Sequence, residues 1–118
     1  MKLVFVSILM VSSLVVAALA ADGFRHSDLV YPTPRTASSL YSNNCVSCHG
    51  RDGRSKTSKG RLNHARDISD GAWHEKVSDE RIFNSIMNGK GKKMPAYGKK
   101  FSESEIDDLV AYVRRLKK

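Results

Sequence analysis

Apolar residues run almost unbroken from Leu3 to Ala20, interrupted only by Ser7, Ser12 and Ser13, and the chain sustains no other run of that kind. Further along, they recur at helical spacing. Ile82, Phe83, Ile86 and Met87 form one stripe: Ser78 precedes it as N-cap, Asp79 and Glu80 fill the first turn, where the helix dipole favours negative charge, and Gly89 follows its end. Ile106, Leu109, Val110 and Val113 form a second and clearer stripe. There Ser102 and Glu105 make a capping box, Phe101 and Ile106 a hydrophobic staple, and Lys117 and Lys118 suit the C-terminal dipole. From Thr36 to about Val46, small and helix-compatible residues predict a short helix running into Cys45, with Leu40 and Tyr41 on its buried face. No segment alternates every second residue between turn signals, so the expected fold class is all-α, a small domain of three to five helices.

The first apolar run has the form of a secretory leader: a positive start at Met1-Lys2, an apolar centre, and small residues at Ala18 and Ala20. Residues 1–20 are thus expected to be cleaved, leaving a chain that starts at Ala21, outside the cytoplasm and without stable membrane insertion. The alternative, an uncleaved anchor, is disfavoured by the three serines in a run barely long enough to span a bilayer. Position 21 is not cysteine, which argues against a lipoprotein. Residues 21–35 hold Gly23, Pro32 and Pro34 without a sustained period and form an irregular arm, leaving 36–118 as the domain.

At 118 residues the chain has room for one small domain. Such a domain often gains stability from a staple, metal or cofactor. Two cysteines are too few for the disulfide framework of a secreted scaffold. They stand together in Cys45-Val46-Ser47-Cys48-His49, the C-x-x-C-H pattern of c-type haem attachment. The spacing suits that chemistry, because two thiols three residues apart on a helical turn can each add to a haem vinyl group while the adjacent His49 reaches the iron. With two cysteines and four histidines scattered at random, the pattern would arise in roughly 0.06% of arrangements. Three other readings compete. A redox dithiol would want strands around the motif and a lowered thiol pKa; a zinc site would need His64 or His74 as a fourth ligand beside the consecutive Cys48-His49; a Cys45–Cys48 disulfide would close a very small loop.

A hexacoordinate haem iron needs a second axial ligand, and Met94 is the foremost candidate. It lies in the loop Asn88–Gly98, before Pro95, where nothing in core packing demands a methionine. Met87 is the rival thioether, but it falls on the apolar stripe of its helix. His26, His64 and His74 are the remaining candidates for a bis-histidine iron, with His26 in the arm.

In these residues the chain resembles the class I c-type cytochromes, small monohaem electron-transfer proteins. The resemblance runs over roughly Thr36–Lys118 and rests on CVSCHG, on KMPAYG about forty-five residues later, and on the final LVAYVRRL. It implies a helical fold wrapped around one haem c, bound covalently by Cys45 and Cys48, with His49 the proximal and Met94 the distal ligand. Tyr41 and Tyr112 match the aromatics through which the family crosses its first and last helices, with Ala37 permitting close approach. Trp73 resembles a tryptophan that often contacts a haem propionate, and Arg61 or Arg66 are candidates to neutralise that carboxylate. Where many relatives place a proline carbonyl to accept the proton of the ligand histidine, this chain reads Lys59-Gly60-Arg61-Leu62.

Lys and Arg number 20 against 12 Asp and Glu, a formal net charge of +8. Lys90, Lys92, Lys93, Lys99 and Lys100 flank Met94 and are expected to ring an exposed haem edge, where they would steer an acidic redox partner (an oxidase, reductase or dehydrogenase) into brief contact. Nucleic acid, which also attracts lysines, is not expected outside the cytoplasm. With both axial positions filled the iron can only change oxidation state. The expected activity is therefore that of a monomeric single-electron carrier rather than an enzyme, the alternative being a haem c subunit of a larger periplasmic oxidoreductase.

Overall fold

The computed structural model describes residues 34–118. The expected leader at 1–20, the arm from 21 to 33 and His26 lie outside them. The described chain carries six helical segments and no strand: α1 Ala37–Asn44, α2 Val46–His49, α3 Ser58–Leu62, α4 Gly71–Lys76, α5 Asp79–Asn88 and α6 Glu103–Arg114. A single bridge between Lys90 and Met94 is the β-type pairing among these residues.

Most helix starts follow from side chains that satisfy the free amide groups of a first turn. Thr36 accepts from the amide of Ser39, Ser78 from that of Arg81, and Ser102 from that of Glu105, whose carboxylate in turn accepts from the Ser102 amide. The helices at α5 and α6 therefore stand where the sequence places them. The helix expected over Thr36–Val46 is divided at Cys45, which has φ −112° and ψ −34°, so that α2 turns away as a separate short piece. Two further helices lie where the apolar pattern marks no element. Thr57 caps α3 through the amide of Gly60, and Asp70 caps α4 through that of Ala72. Neither carries an apolar stripe long enough to announce itself.

The core lies between α1, α5 and α6. Tyr41 and Leu40 meet Ile106, Leu109, Val110 and Val113 of α6, with Ile82 and Ile86 of α5, Ile68 and the staple residue Phe101 completing the cluster. The rings of Tyr41 and Tyr112 lie 4.8 Å apart where α1 crosses α6. Arg114, near the end of α6, fastens the α4–α5 junction to this core. Its guanidinium donates to the carbonyls of His74 at 2.9 Å and Val77 at 2.7 Å, and pairs with Asp79 at 2.6 Å. Beyond α2, the chain returns along α3 so closely that a Cβ on Gly60 would stand 2.2 Å from the Cys48 carbonyl and 2.7 Å from that of Ser55.

Candidate haem site

A cavity of about 630 Å³ opens between α2, the segment 63–68, α4, α5 and the loop before α6. Its volume falls within the about 300–1,000 Å³ typical of sites that bury a cofactor-sized molecule. Cys45, Cys48, His49 and Met94 all line it.

Local structure brings the first three to the wall. Cys45 and Cys48 are half-buried free thiols at the start and on the turn of α2, and His49 ends that helix. Gly50 follows with φ +74°, a left-handed conformation that releases the chain from the helix, and its carbonyl accepts from the Tyr41 hydroxyl at 2.8 Å. The His49 ring is held through Nδ1, which lies 3.1 Å from the Arg66 carbonyl and 3.1 Å from the Ser55 hydroxyl. A carbonyl can only accept, so Nδ1 carries the proton and Nε2 keeps its lone pair for a metal. Burial holds the ring below its ordinary pKa, against the bond to Arg66, which pulls it up. The acceptor sought near Lys59–Leu62 thus comes from Arg66, a few residues further on.

Met94 reaches the cavity on a loop that folds back over the end of α5. The amide of Lys90 donates to the Met94 carbonyl at 2.8 Å, and the amides of Tyr97 and Gly98 donate to the carbonyls of Ile86 and Met87, each at 3.0 Å. Gly89, at φ +70°, lets the loop pass: a Cβ there would stand 2.5 Å from the Met94 carbonyl. Tyr97 donates its hydroxyl to the Asn44 carbonyl at 3.0 Å and stacks on Phe101, tying the loop to α1 and the core. Nothing in the residue pattern gives Tyr97 this task except its place in KMPAYG.

The rival ligands are placed differently. Met87 does not line the cavity; its sulfur packs close to Gly98. His74 is buried with both ring nitrogens engaged, Nε2 with the Ile68 carbonyl at 2.8 Å and Nδ1 facing Arg114 at 3.2 Å. His64 lines the cavity as an exposed residue with φ +52°.

The donor set fits haem c better than a dithiol or zinc centre. Burial, with the neighbouring Cys48, pushes the Cys45 thiol up to about 11, against the pull of Lys100. A redox dithiol needs the opposite shift. Among the described residues no three His, Cys, Asp or Glu side chains converge on a metal position. The cavity wall carries Arg66, Lys76, Arg81, Lys90 and Lys93 and no Asp or Glu, a charge balance suited to an apolar group bearing carboxylates. Trp73 also lines the cavity, whereas Arg61 donates to the Lys56 carbonyl at 2.9 Å and lies outside its wall. Of the five expected lysines, Lys90 and Lys93 line the cavity, Lys92 and Lys99 are exposed elsewhere, and Lys100 donates to the Asn44 side chain at 2.6 Å.

A strand-free helical domain closing on a cavity with this wall defines a small c-type cytochrome. A solved structure described as "KustC0563 c-type cytochrome" superposes with a TM-score of 0.67 at 37% identity, covering 70% of this chain and 99% of that one. The family profile described as "Cytochrome C oxidase, cbb3-type, subunit III" matches residues 32–113, and the chain belongs to that family. It is 31% identical over 85 residues to a cbb3-type cytochrome c oxidase subunit FixP of Azorhizobium caulinodans, a match covering 72% of this chain and 28% of that protein. It is 35% identical over 77 residues to cytochrome c6 of Bryopsis maxima, covering 63% of this chain and 81% of the other. The chain thus spans little more than a quarter of the FixP-type subunit. The chain is a c-type cytochrome domain.

Proposed function

We propose that this domain carries single electrons on one haem c held by Cys45, Cys48, His49 and Met94. The observation that carries the reading is that Met94 and the three chemical residues of the C-x-x-C-H motif line one cavity, although about forty-five residues separate them. Haem c, when bound, supplies a one-electron Fe(II)/Fe(III) couple. Cys45 and Cys48 would each add sulfur and hydrogen across a vinyl group, with no leaving group, to make two thioethers. His49, with its proton fixed on Nδ1, offers Nε2 to the iron, and Met94 offers its sulfur from the loop. Were His49 and Met94 both to hold the iron, the protein would leave it no site for a substrate, so the role proposed is electron transfer.

Arg66, Lys76, Arg81, Lys90 and Lys93 around the wall would balance the propionates and, with exposed Lys92, present positive charge to an acidic redox partner. Such docking is fast and weak, as a monomeric shuttle requires. Residues 1–20 act as a cleaved leader, 21–35 as an arm and 36–118 as the haem domain, which works outside the cytoplasm. No helix among the described residues is long and apolar enough to cross a membrane. A second reading, a haem subunit of a larger oxidoreductase, is favoured by the oxidase subunits among its relatives. Elution as a small monomer supports the free carrier, and co-purification with an enzyme supports the subunit.

The decisive experiment is the absorption spectrum of the exported protein in both oxidation states, with alkaline pyridine to identify the haem. The expected result is a c-type pyridine spectrum and a near-infrared iron–thioether band that vanishes in Met94→Ala. Covalent haem without that band refutes Met94 as ligand, and no covalent haem refutes the whole reading. Lys92→Glu with Lys93→Glu should slow electron exchange with an acidic partner at low salt; unchanged rates would remove the docking surface.

A further inference from the structure

Ser55 is held in a conformation that costs free energy. Its φ is +56°, in the left-handed region that L-residues rarely adopt, and the residue is buried at 7% exposure. Its amide donates to the His49 carbonyl at 2.9 Å, which fixes it beside the ring. From there its hydroxyl stands 3.1 Å from His49 Nδ1 and donates to the carbonyl of Arg66, the same oxygen that lies 3.1 Å from Nδ1.

The three polar atoms form a closed triangle. The Nδ1 proton is divided between two acceptors, and the Arg66 oxygen between two donors. The two separations from Nδ1 are equal at 3.1 Å, as expected where one proton faces two acceptors. The strength of the bond at Nδ1 governs how electron-rich Nε2 becomes, and a stronger bond makes the imidazole a better ligand for the more highly charged metal. An unshared carbonyl would draw the Nδ1 proton more strongly and favour the ferric state.

We propose that Ser55 is a positioning residue for His49: it holds one tautomer and ring orientation while occupying part of the Arg66 carbonyl, which keeps the Nδ1 bond weak and the reduction potential high. This rests on the reading of His49 as the iron ligand.

The test is the reduction potential of the haem-loaded protein and of its Ser55→Gly and Ser55→Ala variants. Both substitutions remove the hydroxyl, but glycine accepts φ +56° freely whereas alanine keeps the Cβ, so the pair separates hydrogen bonding from backbone strain. The expected result is a lower potential in both, by similar amounts, with the iron–thioether band retained. The His49 Nδ1–H proton resonance of the reduced protein should also move downfield. A potential that stays or rises overturns the proposal, as does a fall confined to the alanine variant. If one variant loses the thioether band, the other variant's potential and ring resonance decide, an unmoved resonance overturning it. Failure of the ligation reading is distinguishable, because it would show in the parent spectrum before any substitution.

Discussion

On the His49 side of the cavity the chain is tied by hydrogen bonds aimed at single atoms, whereas on the Met94 side a loop hangs by its backbone from the end of α5. Near His49, the Ser55 amide holds the His49 carbonyl, and Arg66 and Ser55 converge on one ring nitrogen. Thr57 donates to the carbonyls of Ser47 and Cys48, at 2.8 and 3.0 Å. Near Met94, apart from the Tyr97 hydroxyl on the Asn44 carbonyl, the bonds run between amides and carbonyls of Lys90, Met94, Tyr97, Gly98 and α5, and the sulfur itself needs no partner. The difference suits the ligand roles proposed for the two residues. An imidazole must be fixed in tautomer and rotation, but a thioether is a weak acceptor that only has to be put in place. The His49 side is therefore expected to fail with the fold, and the Met94 side to loosen without it.

Gly60→Ala tests the first half of that statement and carries the largest expected effect. The added methyl would meet the Cys48 and Ser55 carbonyls, which belong to backbone and cannot rotate aside. Overpacking of this kind costs about 1–3 kcal/mol, and more where backbone must move. Denaturant unfolding should show that loss together with poor haem incorporation; a variant that folds and loads normally would mean that α2 and α3 are less tightly joined.

Gly89→Ala is the matching change on the other side. It places a methyl against the Met94 carbonyl at a positive φ, so a loss of about 1–3 kcal/mol is again expected, now confined to the loop. The thioether band should weaken while covalent haem and helical circular dichroism persist. Equal loss of both would erase the distinction between the two sides.

Tyr97→Phe removes one hydrogen bond, from the loop to the Asn44 carbonyl, and keeps the ring stacked on Phe101. The expected cost is about 0.5–1.5 kcal/mol, read as a lower denaturation midpoint and a thioether band lost at milder alkaline or thermal stress. An unchanged band would assign the loop's placement to its backbone bonds alone.

Acid provides the gentlest probe. Asp67 follows Arg66, and hydrogen bonds from the Ser69 side chain and amide hold its carboxyl below the ordinary carboxylate range. A carboxylate whose folded pKa is depressed stabilises the fold fully above its unfolded pKa, and that stabilisation disappears as pH falls through the lower folded value. Thermal midpoints measured from pH 6 to pH 3 should thus decline below about pH 4. Asp67→Asn should flatten the decline. The loop from Gly89 to Gly98 contains no carboxylate, so acid should disturb the Arg66 side first. Parallel slopes for parent and variant would remove Asp67 from that account.

Much of the site was legible because its signals are local. The C-x-x-C-H spacing is a property of one helical turn, and Met94 stands out because it lies in a loop of glycines and lysines that carries no apolar stripe. The capping residues Ser78 and Ser102 mark helices because a first turn exposes amides that only a nearby oxygen can satisfy. The short helices at Ser58–Leu62 and Gly71–Lys76 are not legible in this way, for the complementary reason. Their caps, Thr57 and Asp70, are present in the sequence, but no apolar stripe follows to distinguish a helix from a turn.

The sequence by itself determined the all-α class, the two long amphipathic helices, and the choice of Cys45, Cys48, His49 and Met94 as candidates for one site. Tertiary structure alone decided that the acceptor for His49 is the carbonyl of Arg66, that Ser55 shares it, that Arg114 binds the carbonyls of His74 and Val77 across the domain, and which lysines face the cavity. The reason is physical. Side-chain chemistry and helical periodicity are written into residue identity at short spacing, but every residue carries the same carbonyl, and which one meets a buried ring depends only on the path of the folded chain.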